Sequence, residues 1–328
     1  MPLAILIKAN AACPLTLKWH TERVCGKHDL LPMVGLINVN KPSGMSSRRV
    51  VDIVARLAGT KHVGHAGTLD PLASGVLVVC IGWATRLVAF IQDRPKIYTA
   101  RFLLGQRSDT DDSTGTIVEA PHAPPPSHAA VATALCSFAG DILQVPPQFS
   151  AVHVGGKRAH KLARRGKTVS LEPRPIQIHR IVLTNYDFPI LDVEIECGSG
   201  TYIRSIARDL GNALGCGGLM SALVRTQIGD FTLASTVSIN ALNTRPIAEH
   251  LLPPLTAVAH FTRHAITPAD IAVLIRGRPL LCPADTAFAT DSLIPLVDSA
   301  GDLQAFAEYD AAARLLRPRQ VFAPGCSG

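Results

Sequence analysis

The chain has 328 residues, 47% of them hydrophobic, and a formal net charge of +7. That provides for one large domain plus a small one with a sizeable core, and the charge favours a polyanionic partner such as nucleic acid or an anionic membrane surface. The eight cysteines include no CxxC pair and no Cys/His cluster of zinc type, so they exclude a structural metal of that kind and suit a reducing cytoplasm; Cys80 and Cys197, in apolar runs, are expected as small core residues.

Residues 1–32 are expected to be an irregular extension, and Met33 is a candidate start. The apolar run Leu3–Ile7 is too short for a signal segment and has no basic residue before it. No segment is long and apolar enough to span a bilayer; the best run, Val76–Ala84, is interrupted by Gly82 and closed by Arg86. Val34–Asn40 alternates as a strand, Lys41–Ser47 turns, and Val50, Val51, Ile53, Val54 and Leu57 mark an amphipathic helix.

The stretch Gly64-His65-Ala66-Gly67-Thr68-Leu69-Asp70-Pro71-Leu72-Ala73-Ser74-Gly75 follows. Its glycines permit positive φ and close approach to the backbone. Pro71 biases Asp70 away from the helical region, so the carboxylate sits on an extended or turning segment. Val76–Ile81 then reads as a buried strand. An acid on a glycine-rich loop feeding a core strand suits chemistry; a tight turn with a capping Asp is the plainer alternative. No Gly-Lys-Ser/Thr follows, which excludes a phosphate loop.

Further on, Ala84–Ile91 is expected to be helical, and Tyr98–Gly105 a strand with Tyr98, Ala100 and Phe102 on one face. Asp109, Asp111 and Ser113 mimic the start of a calcium loop, but Ala120 occupies the position that needs Glu, so calcium is rejected. Ala129–Ala139 is an expected helix. Residues 142–171 contain no Asp or Glu, and Lys157, Lys161, Arg164 and Arg165 share one side of an amphipathic stretch, opposite Ala159, Leu162 and Ala163. That cationic face suits a phosphate backbone; a merely solvated face is the alternative. Ile176–Phe188 and Ile190–Cys197 alternate as strands, and Thr201–Leu214 is an expected helix ended by Gly215. Arg204 and Arg208 lie off its apolar stripe, and a cation in the first turn opposes the helix dipole, so a solvated arginine stays open. Leu219–Gly229 supplies another strand. Residues 243–254 form a candidate boundary, followed by a helix at Pro268–Ile275 and a hairpin of Leu293–Val297 with Leu303–Tyr309.

GHAGTLDPLASGVLVVCIGWATR resembles the central motif of the pseudouridine synthases, in the branch that includes bacterial tRNA pseudouridine synthase B and eukaryotic dyskerin. NKPSGMSS is similar to that family's first motif, and GSGTYIRSIARDLG to its third. The 145–175 region resembles its RNA-gripping thumb segment, with His153 and His160 standing where the family usually has Lys and Tyr. The resemblance covers roughly residues 33–245. It implies an α+β pseudouridine synthase fold: a mainly antiparallel curved mixed sheet flanked by helices, with a small β-rich, PUA-like tail. The corresponding domains are 33–252 for catalysis, with the thumb at 145–175, and 253–328 for the tail.

The resemblance implies isomerisation of uridine to pseudouridine at position 55 in the TψC arm of tRNA. No cofactor is needed, because no redox change occurs and no group is imported. It implies Asp70 as the catalytic carboxylate, either nucleophile or base on a glycal route, paired with Arg204. Tyr98 would lie against the base and take the C5 proton, with Tyr202 and Leu223 walling the pocket. His65 would occupy space or hold phosphate near the extruded base; Lys41 would support the catalytic loop or a phosphate; Lys157, Lys161, Arg164 and Arg165 would grip RNA. The expected partner is tRNA, including its acceptor end through the tail, with no membrane or protein partner, for a cytoplasmic monomer. Two other classes stay open: a non-catalytic RNA-binding protein, and a hydrolase whose Asp70 forms an ester.

Overall fold

In the computed structural model, residues 33–120, 124–150, 153–154, 157–158, 170–283 and 288–322 are described. The expected extension at 1–32 lies outside them. The chain enters on β1 (Gly35–Lys41), turns into helix α1 (Ser47–Ala58), and returns through β2 (Val63–His65) and β3 (Ser74–Ile81). Helix α1 begins where Ser46 caps the Arg49 amide and ends where Gly59 takes a left-handed conformation. Strand β3 is apolar along almost its whole length because both faces are covered. Leu77, Val79 and Ile81 pack under α1 with Ile37, Val50 and Val54, whereas Val76, Val78 and Cys80 face a second core.

The expected helix at Ala84–Ile91 is instead a 3-10 turn, Gly82–Leu87, followed by the short helix α2 (Val88–Gln92). Gly82 has φ of 64°, and the Thr85 hydroxyl donates back to its carbonyl at 2.8 Å, which favours the tighter winding. Next come β4 (Lys96–Leu104), the small hairpin β5 (Gln106–Ser108) and β6 (Ile117–Glu119), helix α3 (His128–Cys136) and β7 (Gly140–Gln144). A two-stranded pair, β8 (His153–Val154) and β9 (Lys157–Arg158), stands at the thumb position. Lys157 is thus on a strand rather than in the expected helical stretch; Lys161, Arg164 and Arg165 lie outside the described residues.

The long strands β10 (Arg174–Asp187) and β11 (Ile190–Cys197) lead to helix α4 (Ile203–Ala213) and β12 (Gly218–Ile228). After β13 (Phe231–Thr232), β14 (Val237–Ser238) and α5 (Ile239–Thr244), the tail folds as β15 (His264–Ala265), α6 (Pro268–Ile275), β16 (Leu280–Leu281), β17 (Leu293–Val297), β18 (Leu303–Asp310) and β19 (Leu315–Val321). The helix and hairpin expected in the tail are both present.

The main sheet runs β14-β1-β3-β12-β4-β11-β10-β7, with β2 and β13 appended. It is mixed but mostly antiparallel, as expected. Its parallel contacts are β1 with β14 and a two-residue meeting of β3 with β12, Ser74 beside Val224 and Gly75 beside Arg225. That brief contact lies directly after the glycine-rich loop. Gly75 has φ of 100°, and a Cβ there would overlap the Arg225 carbonyl, so only glycine lets the two strands meet. The tail forms a five-stranded sheet, β15-β17-β18-β19-β16. It shares a core with the rest: Phe90 stacks on Phe306 at 4.9 Å and Trp83 on Phe322 at 4.3 Å.

Candidate active site

The Asp70 loop is held through its backbone by the turn that follows β1. Ser47, fully enclosed, donates to the Leu69 carbonyl at 2.9 Å and accepts from the Leu69 amide at 2.8 Å. Ser43 donates to the Leu72 carbonyl, and the Gly44 amide to the Pro71 carbonyl, each at 2.8 Å. Lys41 completes this clamp: its ammonium donates to the carbonyls of Met45 at 2.6 Å, Pro42 at 3.0 Å and Pro71 at 3.4 Å. Lys41 is 0% exposed, so of its two expected roles the structure favours support of the loop over contact with a phosphate, and it stands behind the loop rather than among groups open to substrate. Burial lowers its pKa to about 8, against the pull of Asp70.

Asp70 projects into a cleft of about 320 Å³, at the small end of the range for ligand pockets. Tyr98, Tyr202, Arg204 and Leu223 line the same cleft. Four elements therefore bring the expected residues together: the glycine-rich loop, β4, the start of α4, and β12. His65 is not among the lining residues; it stands half-buried on β2, its Nδ1 enclosed without a hydrogen-bond partner. Burial, Arg225 and Arg48 all lower its pKa, favouring neutral imidazole.

Arg204 is not solvated. Only 6% of its side chain is exposed, and it grips Asp70 by two atoms: Nε to Oδ2 at 2.9 Å and Nη2 to Oδ1 at 3.2 Å. Its remaining donors go to the carbonyls of Thr110 at 3.0 Å and Phe149 at 3.3 Å. Behind it, Asp112 lies 3.5 Å from Nη1 and is itself almost fully buried. This pairing outweighs the adverse position of a cation in a first helical turn, which is a sub-kcal to roughly 1 kcal/mol effect. Arg208, one turn on, reaches Asp111 at 2.9 Å. The acidic segment after β5 thus supplies counter-charges to α4.

Loss of water pushes the Asp70 pKa above the ordinary carboxylate value. Arg204 and Lys41 pull it down, and the second carboxylate, Asp112, pushes it up. Burial likewise raises the hydroxyl pKa of Tyr98 and of Tyr202.

Three residues of the site were not singled out by the sequence. Arg225 is 1% exposed, lines the cleft, and donates to the carbonyls of Val76 at 2.8 Å and Gly67 at 3.0 Å. Its signal was available: strand alternation puts it on the face of Leu223, two residues earlier. Lys96 lines the cleft on the Tyr98 face of β4, its ammonium bonded to the Gln92 carbonyl. Gln144 is buried against Tyr202, and no local pattern announces it. Among the described residues, no group of acids, histidines and cysteines is placed to hold a metal ion.

Comparison with known proteins identifies the family. Residues 55–203 match the model of the TruB family pseudouridylate synthase N-terminal domain, and residues 204–274 that of the tRNA pseudouridylate synthase B C-terminal domain. Proteins named tRNA pseudouridine synthase B are similar along most of the chain. That of Nitrobacter winogradskyi is 40% identical over 306 residues, 90% of this chain and 84% of the relative. That of Microcystis aeruginosa is 41% identical over 251 residues, 76% of this chain and 85% of the relative. A chain in the crystal structure of a Cbf5-Nop10-Gar1 complex shares the fold, with a TM-score of 0.68 and 23% identity over 88% of this chain and 85% of that one. With its sequence, its sheet and its clustered motifs in agreement, the chain belongs to the TruB family of pseudouridylate synthases.

Proposed function

We propose that this protein isomerises uridine 55 in the TψC arm of tRNA to pseudouridine, with Asp70 as the catalytic carboxylate acting on a flipped-out base. The observation that carries the assignment of Asp70 is its place in a cleft walled by Tyr98, Tyr202 and Leu223 and held there by Arg204. A base must leave its stack to reach such a cleft, at a cost of a few kcal/mol. The reaction breaks the bond between N1 and C1′ of the ribose, turns the uracil, and joins C5 to C1′. The C5 proton is lost and N1 regains one, so the substrate's composition is unchanged.

Ionised Asp70 attacks C1′ or draws a proton from C2′ to open a glycal; either use needs the bare carboxylate that Arg204 orients. Tyr98 stacks on the uracil and is placed to take the C5 proton. Tyr202 and Leu223 limit where the ring turns. The thumb, with Lys157, Lys161, Arg164 and Arg165, grips the arm, and the PUA-like tail, residues 253–328, reaches toward the acceptor end. His65 supports the extruded nucleotide. The protein works as a cytoplasmic monomer.

The deciding experiment incubates the protein with an unmodified tRNA transcript and measures pseudouridine at position 55. Asp70→Asn keeps the shape and removes the charge, and is expected to lower the rate by at least about a thousandfold, the scale on which loss of a nucleophile acts. Full activity in that variant would remove Asp70 from the chemistry. Absence of pseudouridine with the unaltered protein would favour RNA binding without catalysis.

A further inference from the structure

We propose that Gln144 is a positioning residue for this reaction: its carboxamide sets Tyr202 as a wall of the uridine cleft. The proposal rests on the pseudouridine synthase reading above. Gln144 ends β7 and is 3% exposed. Its Nε2 donates to the Tyr202 carbonyl at 3.0 Å, and its Oε1 accepts from the Tyr202 amide at 2.8 Å. The side chain therefore pairs with the main chain of one residue as a neighbouring strand would.

Two bonds, one on each side of the Tyr202 Cα, fix rotation as well as position; among the described residues, the only other backbone hold is the first helical bond, from the Ile206 amide to the same carbonyl at 3.3 Å. Tyr202 needs such a hold. It precedes the first residue of α4 in an extended conformation, φ −102° and ψ 107°, and its side chain makes no capping bond. This also explains why α4 starts at Ile203 rather than at the expected Thr201. The neighbouring residue strengthens the contact: the Val145 carbonyl accepts from Ser205 Oγ at 3.0 Å and from Arg208 Nη2 at 2.8 Å. Gln144 itself does not line the cleft, whereas Tyr202 does. A buried neutral hydrogen bond adds only modest net stability. A displacement of about 1 Å at a reacting centre, by contrast, lowers a rate by as much as 10²-fold. The larger effect of this amide is expected on catalysis.

The test is a double-mutant cycle in the full-length protein, using unmodified tRNA transcript labelled with tritium at uridine C5. Gln144→Met keeps the length and removes both bonds. Its single-turnover rate of tritium release is expected to fall roughly 10- to 100-fold, with the tRNA dissociation constant nearly unchanged. In a Tyr202→Ala background the same change is expected to have little further effect, because the group being positioned is gone. Gln144→Leu also removes both bonds, with a shorter apolar side chain; it is expected to lose a similar factor, and it carries the cycle if the methionine variant does not fold. The proposal is overturned by a wild-type rate in these variants, by an equal factor lost with and without the Tyr202 ring, or by a loss confined to tRNA affinity. Tritium release by the unaltered protein is the control that tests the parent reading separately.

Discussion

Arg204 stands between two carboxylates, with Asp70 bound by both Nε and Nη2 on the open side and Asp112 3.5 Å away on the closed side. The nearer pair orients the acid in the cleft. The farther one keeps the guanidinium from swinging toward solvent.

Arg204→Lys keeps the charge but cannot engage both oxygens of Asp70. Pseudouridine formation is expected to fall on the order of 10- to 100-fold, with tRNA affinity changed far less. Single-turnover rates and filter binding on the same preparations check this. Equal losses in both would make Arg204 an RNA-gripping residue. Arg204→Met should in addition destabilise the fold by about 3–5 kcal/mol, because Asp112 is left buried without its cation; denaturant titration measures that.

The pH dependence follows from the direction of the Asp70 shift. Burial raises its pKa, and the ionised form is the active one, so kcat/KM should rise with pH through a midpoint above the ordinary value of about 3.9. Asp112→Asn removes the like charge that pushes the same way, so the acid limb should move to lower pH. An unmoved limb would separate Asp112 from the titration of Asp70.

Gly75→Ala tests the meeting of β3 and β12. The new methyl would overlap the Arg225 carbonyl and force an L side chain to φ of 100°. Backbone strain alone is of order 1–3 kcal/mol, so the melting temperature should fall by several degrees, as calorimetry would show. Gly59→Ala, where a Cβ would meet nothing, isolates the strain from the overlap and should destabilise less.

Charge reversal at Lys161 and Arg165 tests the thumb. If each neutralises a phosphate, the double variant should bind tRNA more weakly, with the slope of log K against log salt reduced by about 0.7–0.9 per lost contact. An unchanged slope would take these side chains out of the interface.

Much of this site was legible before any coordinates. Asp70 was marked by its glycine- and proline-flanked loop together with the family resemblance, Tyr98 by strand alternation joined to that resemblance, and Leu223 by the resemblance alone. Of the buried cations, Arg204 was legible through the resemblance, Lys41 in part and Arg225 not at all. Lys41 was expected to support the loop or a phosphate, and sequence alone could not choose because it cannot show that three carbonyls converge on its ammonium. Arg225 was passed over because a guanidinium with no nearby acid in the chain does not look like a core residue. Helix starts misled for a related reason: Thr201 and Tyr202 fit the helical pattern, but Gln144, 58 positions earlier, captures the Tyr202 backbone first.

The core shared by the tail and β3 changes how a shortened protein must be interpreted. Phe306 and Phe322 of the tail belong to the same apolar cluster as Val76, Val78 and Cys80, the strand that begins four residues after Asp70. Cutting the chain before residue 253 would remove part of the apolar cluster that covers that strand. A truncated enzyme that loses activity would therefore be reporting a loosened floor beneath its acid, and only a tail variant with intact packing and altered surface charge could say whether this region touches RNA.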